Sequence, residues 1–276
     1  MHNKSWMARL MAAPHVVWSI LFILAPLAFV FYYAFTDKTG AFTLNNIKEL
    51  GSASYLDIFT RSLCFALAAT AICLLVAYPL AYAISRAKPR SQKICIMLTM
   101  LPMWMNFLIR TYSIMAILED TGFLNSLLGR IGLPPLHIIN TGGAVIFGMV
   151  YNYLPYMVLP IYTVLSKLDN RLLEASADLG CTPMQTFFKV VMPLSRSGVV
   201  SGVTMVFVPS VSTFYISQKL GGGKFQLIGD VIERQFQSAY NYNLGAAMSL
   251  VLMVLILLSL AVMNRYSDEE EGGLVA

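Results

Sequence analysis

The sequence predicts an all-α polytopic membrane protein with six transmembrane helices. Of its 276 residues 57% are hydrophobic and 12% are charged, and the mean hydropathy is +0.67. A soluble domain carries about 25% charged residues. The apolar residues fall into six runs of about 20 residues, the length that a helix needs to cross a bilayer. The predicted spans are about 16–35, 62–85, 94–118, 141–166, 197–216 and 244–263.

Basic residues predict the side of the membrane on which each connection lies. Lys4 and Arg9 precede the first span, and four basic residues between Arg86 and Lys93 follow the second. Such clusters stay in the cytoplasm. The first run is too long for a signal-peptide core and no small-x-small cleavage site follows it, so we interpret it as an uncleaved span.

The domain organisation follows from this topology, with both termini in the cytoplasm. We expect a cytoplasmic N-terminus at residues 1–13, one transmembrane domain at 14–266 and an acidic cytoplasmic tail at 267–276. Pro102 and Asn106 interrupt the third span, and Arg110 is expected to snorkel to the outer interface. An outer loop with one interfacial helix should follow it. In the last outer connection three consecutive glycines, 221–223, suggest a tight backbone turn.

This chain lacks the residue patterns that several functional classes require. The net charge of +5 is modest and does not argue for nucleic acid. The histidines and cysteines, which show no metal-ligand spacing, are His2, His15, His137, Cys64, Cys73, Cys95 and Cys181. We expect the first three cysteines, which lie in apolar runs, to be small buried thiols and predict no metal site. The run Gly221–Lys224 lacks the spacing of a nucleotide-binding loop, so no ATP hydrolysis is predicted for this chain.

The longest polar interruption predicts two short helices joined by a tight turn. Asp169 or Asn170 can cap the first helix, and Gly180 stands where a left-handed residue would end it. Thr182 and Gln185 match a capping box at the start of the second helix. On the first helix three apolar residues can share one face: Leu172, Leu173 and Ala177.

This stretch resembles the EAA loop of ABC-importer permeases. That loop has a Glu-Ala-Ala, then a Gly, then an Ile-x-Leu-Pro. The residues that match in order and spacing are Glu174, Ala175, Ser176, Gly180, Val190 and Pro193, with Ser176 and Met192 as departures from Ala and Leu. In the family the loop is cytoplasmic and fits a groove of the ATPase subunit. An ordinary interfacial helical hairpin is the alternative.

The resemblance implies a type I ABC-importer permease fold with residues 169–193 as its coupling loop. The implied ATPase-coupling residues are Glu174, Ala175, Ser176, Asp178, Gly180 and Pro193. A separate ATPase would drive alternating access through this loop. Glu174 would make polar contacts in the ATPase groove, and Gly180 would set the angle between the two short helices.

Further stretches are similar to those of spermidine/putrescine permeases, in particular PotB-type subunits. They are the runs 101–112, 207–214, 220–224 and 227–229. The resemblance implies three partners: a second, PotC-like permease, a PotA-like ATPase dimer that binds Mg-ATP, and an extracytoplasmic PotD-like binding protein. It also implies that the chain lies in the bacterial inner membrane, in contact with lipid. It implies no cofactor in this chain. Related permeases carry ferric iron, sulfate or other small solutes. A passive channel, a membrane scaffold and a membrane-embedded enzyme are the alternatives from other classes.

A cationic substrate needs carboxylates for its charge and aromatic faces for cation–π contact. The pathway candidates are Trp104, Tyr112, Tyr151, Tyr153, Ser210, Thr213, Glu119, Asp120, Asp230 and Glu233. Trp104 and Tyr153 are favoured because prolines beside them can open the helix. The alternatives are interfacial packing for the aromatic residues, bonds back to their own helix for the hydroxyls and solvated loop charges for the acids. No carboxylate is expected in the middle of a span, so negative charge there would come from the partner permease.

Overall fold

A computed structural model describes residues 13–271, apart from the side chains of Asn264 and residues 266–271. The predicted cytoplasmic N-terminus, with Lys4 and Arg9, and the end of the predicted acidic tail therefore lie outside the described residues. Within them the chain is helical, with one isolated β-bridge between Thr36 and Phe42. The described residues form two compact units, one within residues 13–57 and 231–255 and the other within residues 58–230 and 256–271.

The helices, numbered in chain order, are α1 Ala13–Ala34, α2 Asn45–Leu50, α3 Ala53–Ser85, α4 Pro89–Trp104, α5 Phe107–Leu118, α6 Phe123–Arg130, α7 Gly142–Ser166, α8 Asn170–Asp178, α9 Pro183–Leu194, α10 Arg196–Val211, α11 Tyr215–Leu220, α12 Ile228–Gln237 and α13 Tyr242–Glu271. Among the described residues four of these helices are long and apolar enough to cross a membrane: α1, α3, α7 and α13 up to Met263. Two bent pairs bring the number to six if each pair is one span, with bends of 95° after α4 and 65° after α9. The six predicted spans correspond to these four helices and two pairs.

The predicted third span is interrupted at Met105 and Asn106. Met105 has an extended backbone at φ −77° and ψ 146°, and the Asn106 side chain accepts from the backbone N–H of Leu108 at 2.8 Å. Asn106 is thus an N-cap that starts a new helix in a new direction. Other bounds differ as well: α3 begins nine residues before the predicted 62, and α10 ends at Val211 rather than 216.

In the first unit, side-chain amides complete the end of α1. The last carbonyls of a helix have no intrahelical donor. Asn46 donates to the carbonyls of Ala34 and Thr36 at 3.1 and 2.9 Å, and Asn243 donates to that of Thr36 at 2.7 Å. In the loop that follows, Thr39 donates to the Asp37 carboxylate through its hydroxyl and its backbone N–H, and these bonds hold the pKa of Asp37 below its ordinary value.

In the second unit, α10 packs closely along α7. A Cβ at Gly202 would lie 2.7 Å from the Met157 sulfur, and one at Gly198 would lie 2.9 Å from the Pro160 carbonyl oxygen. Gly198 and Gly202 form a G-x-x-x-G pattern, which lets two helices approach closely in a membrane. This pattern is visible in the sequence but was not among the features used above to predict the fold. The core of the unit lies along α7, where Met149 and Met157 are fully buried.

Small residues line the buried side of α3 at a spacing of four residues. They are Ala69, Cys73, Ala77 and Ala81. The Cys73 thiol donates toward the carbonyl of Val150 on α7 at 3.8 Å. The expectation of a buried thiol is confirmed for Cys73. It is wrong for Cys64, which is exposed because it lies on the opposite side of α3, and Cys95 is half-buried.

Two connections of the second unit are held by specific residues. In the loop around α6, the Asn125 amide donates to the carbonyls of Asp120 and Leu136 and accepts from the Leu136 N–H at 2.8 Å. The glycine turn predicted after α11 is confirmed, since Gly222 and Gly223 have φ of +58° and +74°. The acidic residues near the C-terminus continue the backbone of α13 as far as Glu271.

Candidate functional site

The first half of the coupling loop is a helix with a cap at each end. The Asp169 carboxylate accepts from the Arg171 N–H at 3.0 Å and so caps α8. Gly180 has φ of +80°, the left-handed conformation. Its N–H donates to the carbonyl of Ala177 at 2.9 Å, and the N–H of Cys181 donates to that of Ser176 at 3.1 Å. This pair of bonds is a Schellman motif, so the chain turns sharply at the predicted glycine.

The second half begins with the predicted capping box. The Thr182 hydroxyl accepts from the Gln185 N–H at 3.3 Å, and the Gln185 side chain accepts from the Thr182 N–H at 2.9 Å. Helix α9 then runs through a π-helical segment, Phe187–Val191, before it reaches Pro193. Both helix starts are therefore stabilised by residues within three positions in the sequence.

The inward face of α8 carries Leu173 and Ser176. Leu173 is partly buried, and Ser176 is 5% exposed, with its hydroxyl 2.8 Å from that of Thr186 on α9. Leu172 and Ala177 lie on either side of this direction and are exposed, so Leu173 is the one of the three apolar residues that packs within this chain. The Ser176–Thr186 bond joins the two short helices, which gives the departure from the family's Ala a structural role.

Contacts to the end of α3 anchor the coupling loop. The Tyr78 hydroxyl lies 2.6 Å from that of Ser195, and the Arg86 guanidinium donates to the Asn170 side chain at 2.8 Å. The Phe187 ring meets the Tyr78 ring edge-on at a centroid distance of 5.5 Å. In the sequence Arg86 is recognisable only as one charge of a basic cluster, because its contact partner Asn170 is 84 residues away.

The coupling loop leaves both polar and apolar side chains on the surface of this chain. Of the coupling residues inferred from the resemblance, Glu174, Ala175, Asp178 and Gly180 are exposed and Pro193 is partly buried. Large apolar side chains are exposed beside them: Leu172, Leu179, Met184 and Phe188. Leu179 is 84% exposed. An exposed apolar patch with polar residues at its edge is typical of a surface that binds another protein.

The predicted aromatic pathway residues divide into exposed and buried ones. Trp104 is 75% exposed at the end of α4, and Tyr112 and Tyr151 are also exposed. Tyr153 is buried in α7, and its hydroxyl donates to the carbonyl of Pro209 at 3.4 Å. The two residues favoured from the sequence, Trp104 and Tyr153, therefore do not share one environment.

The predicted hydroxyl residues lie around Pro209. The Ser210 hydroxyl is fully buried and donates to the Val206 carbonyl at 2.7 Å, so its bond goes back to its own helix. Thr213 is buried and interacts with the side chain of Tyr153. The structure thus brings Tyr153 and Thr213 together, whereas Ser210 follows the alternative of a bond within the helix.

The predicted acidic residues have different environments. Glu119 and Asp120 are exposed after α5, and the Asp120 carboxylate lies 2.5 Å from the imidazole of His137. Asp230 is 8% exposed in the first turn of α12, where it accepts from the backbone N–H of the residue before the helix at 2.8 Å. Glu233, one turn further along α12, is partly buried. Asp230 therefore serves as a helix cap instead of a solvated loop charge.

Arg110 is buried, so the expectation that it snorkels to an interface is wrong. The side chain is 5% exposed, and its guanidinium donates to the carbonyl of Pro102 at 2.9 Å and lies 5.9 Å from the Phe107 ring centroid. The carbonyl of Pro102 belongs to the last turn of α4, where it also accepts from the Met105 N–H at 3.2 Å. Because the helix ends here, this carbonyl lacks the donor four residues on that a continuous helix would supply, and it can accept from Arg110 as well.

Comparison with known proteins gives the family. The model of the binding-protein-dependent transport system inner membrane component matches residues 6–269. The spermidine/putrescine transport system permease protein PotB of Haemophilus influenzae is 39% identical, covering 90% of each chain. PotB of Escherichia coli K12 is 36% identical, covering 91% of this chain and 94% of its own. The inner membrane ABC transporter permease protein YdcU of the same strain is 32% identical and covers 85% of this chain.

Solved structures share the fold. A bacterial ABC transporter involved in the import of the acidic polysaccharide alginate matches with a TM-score of 0.75 at 17% identity, over 97% of this chain and 96% of its own. A second structure of a bacterial alginate ABC transporter, in complex with an alginate pentasaccharide-bound periplasmic protein, matches with a TM-score of 0.74 at 16% identity. The chain therefore has the all-helical permease fold of ABC importers.

Proposed function

We propose that this chain, which belongs to the family of binding-protein-dependent transport system inner membrane components, is the permease subunit of an ATP-driven importer of spermidine and putrescine. The observation that carries this proposal is the 36–39% identity to PotB permeases over at least 90% of the chain. The alginate importers share the fold at 16–17% identity and do not bear on the solute.

The coupling loop is the surface through which a separate ATPase would drive the permease. Its exposed Glu174 and Asp178 lie one turn apart on α8, and Leu179 and Met184 project beside them. We expect the apolar side chains to enter the ATPase groove and the carboxylates to bind its polar edge. Because the Tyr78 ring contacts Phe187 and Arg86 bonds Asn170, a movement of the loop would reach α3, a membrane span, directly.

The partners follow from the same relationship. A second, PotC-like permease would complete the pathway, a PotA-like ATPase dimer would bind and hydrolyse Mg-ATP, and an extracytoplasmic PotD-like protein would deliver the polyamine. The permease itself needs no cofactor. The chain is an inner membrane component by family, and we propose that both of its termini and the coupling loop face the cytoplasm.

Aromatic and hydroxyl groups would line the part of the pathway that this chain contributes. Tyr153 and Thr213 lie together in the second unit, and Tyr112 and Tyr151 are exposed on it. A lining of aromatic and hydroxyl groups without carboxylates binds a cation weakly and transiently, which suits a transport pathway. The carboxylates that balance the substrate charge would come from the partner permease.

The test is ATP-driven uptake by the complete complex in proteoliposomes. The chain is purified with its ATPase and second permease, and the polyamine-binding protein is added with radiolabelled spermidine or putrescine. We expect uptake that requires both ATP and the binding protein, with no uptake of sulfate or ferric iron. Uptake of another solute would support the importer function but contradict polyamine as the substrate. Uptake that persists without the ATPase would favour a passive channel.

A further inference from the structure

We propose that Tyr112 and Tyr215 form a binding site for a primary ammonium group of the transported polyamine, and that the ammonium of Lys219 occupies this site when the substrate is absent. The inference rests on the proposed function of the chain. Lys219 and Tyr215 were not among the residues singled out from the sequence.

Two tyrosine rings surround the Lys219 ammonium. Its nitrogen lies 5.2 Å from the centroid of the Tyr112 ring and 5.7 Å from that of the Tyr215 ring. The two rings are 6.0 Å apart at an interplanar angle of 82°. An ammonium within about 6 Å of an aromatic centroid is attracted by the electron-rich face of the ring. The Tyr112 hydroxyl also interacts with the side chains of Tyr215 and Lys219.

Two helices of the second unit place these groups. Tyr112 lies on α5, while Tyr215 and Lys219 lie four residues apart on α11 and so share one face. The Phe107 ring packs behind Tyr215 at a centroid distance of 6.1 Å. Tyr112 is 45% exposed, so the site opens at the surface of this chain and a ligand can reach it.

The side chain in the site resembles the end of the substrate. A lysine side chain carries its ammonium on a four-carbon stem, and the same aminobutyl group ends putrescine and one arm of spermidine. Rings at this spacing around a lysine ammonium would accept a polyamine ammonium with the same contacts. The electron-rich rings therefore favour alkylammonium groups over anions.

The rings hold Lys219 in a way that permits exchange. The partners that the structure gives the ammonium are two aromatic rings and a phenolic hydroxyl. Cation–π contacts at an exposed site are weak, so the ammonium can leave the rings. Two ammonium groups repel each other and cannot share one site. Substrate binding and Lys219 binding at the rings therefore exclude each other, so Lys219 weakens the site and helps to release the substrate.

The test measures spermidine binding to the permease–ATPase complex in nanodiscs without the binding protein. Lys219→Gln removes the internal competitor, so we expect it to bind spermidine about tenfold more tightly than the wild type. Lys219→Arg keeps a cation at the rings and should bind as weakly as the wild type. Tyr112→Leu in the Lys219→Gln background should abolish the gain. Lys48→Gln and Tyr32→Leu, both exposed in the first unit, are the matched controls.

The outcomes separate this inference from the proposed function. Equal spermidine binding by the wild type and Lys219→Gln would overturn the inference, and so would a gain that survives Tyr112→Leu. If the wild-type complex still imports spermidine in those cases, the proposed function stands. If the wild-type complex imports no polyamine and no variant binds one, both fail. Thermal unfolding of each variant shows whether it is folded, and Lys219→Arg supplies the comparison should Lys219→Gln be unstable.

Discussion

The turn between α8 and α9 and the break between α4 and α5 both redirect the chain within the second unit, but different forces hold them. In the coupling loop, Gly180 and the Thr182–Gln185 capping box form bonds that reach at most five residues along the chain. At the break, the Asn106 cap is local, but the Arg110 guanidinium, eight residues from its acceptor at Pro102, is buried by the surrounding helices.

This difference separates an exposed structure from a buried one. The turn in the coupling loop is exposed and stabilised by its own backbone, so it can keep its shape while it binds a partner. The break is stabilised by a buried charge, whose removal from water is costly unless good hydrogen bonds accompany it. A substitution in the loop should therefore alter transport more than folding, and a substitution at the break should alter folding.

The largest effect is expected from Gly180→Pro. Proline holds φ near −65°, whereas Gly180 has φ of +80°, and proline also removes the N–H that bonds the Ala177 carbonyl. We expect ATP-driven uptake to fall at least about tenfold while the protein still inserts into the membrane. Uptake in proteoliposomes and the amount of membrane-inserted protein measure the two effects.

Gly132→Pro is the matched control for Gly180→Pro. Gly132 has φ of +76°, open space at its Cβ position and an N–H bonded to the Gly129 carbonyl at 3.2 Å, but it lies in the loop after α6. We expect it to keep uptake within about twofold of the wild type. Equal losses in the two variants would mean that backbone strain, and not the coupling loop, limits transport.

A smaller effect is expected from Arg110→Met, which tests the break. The substitution removes a charged hydrogen bond to the Pro102 carbonyl, which contributes about 1.5–3 kcal/mol. The Arg110 Nε has no hydrogen-bond partner among the described groups, which places the loss at the lower end. Unfolding of the purified permease in detergent measures it. Arg130→Met, at an exposed position at the end of α6, should change the stability by less than about 0.5 kcal/mol. Unchanged stability in Arg110→Met would leave the Asn106 cap as the main support of the break.

The smallest effect is expected at the bond between the two helices of the coupling loop. Ser176→Ala and Thr186→Val each remove one partner of the 2.8 Å hydroxyl pair. A double-mutant cycle on unfolding should give a coupling energy of about 0.5–1.5 kcal/mol. A coupling near zero would show that each hydroxyl finds another acceptor. A loss of ATPase stimulation without a loss of stability would show that the bond sets the angle between the helices.

Prediction from the sequence succeeded where the signal was local. Asp169, Gly180 and the capping box are in the predicted positions, because caps and left-handed turns depend on residues within a few positions. The number of spans could also be predicted, since a span is recognised from the length and composition of an apolar run. The buried side of α8 could not be predicted from the sequence, because it depends on the tertiary contact of Ser176 with Thr186.

The sequence indicated which residues could line the pathway by their type, but it did not indicate which of them lie together. Asp230 was a pathway candidate and is a buried helix cap, whereas Tyr153 and Thr213 meet across a separation of 60 residues. Tyr112 was selected for its aromatic ring, but its partner Lys219 is 107 residues away in the sequence and was not considered. No local pattern records contacts at such separations.

The sequence by itself determined that this protein is a helical membrane protein, where its apolar runs lie and how the coupling loop is capped, because hydropathy and capping act over short stretches of chain. The tertiary structure alone decided that the third span breaks toward a buried Arg110 and that the Lys219 ammonium lies between two tyrosines. These features depend on which helices pack together, and packing creates the buried acceptors and aromatic faces that a charged side chain can bind.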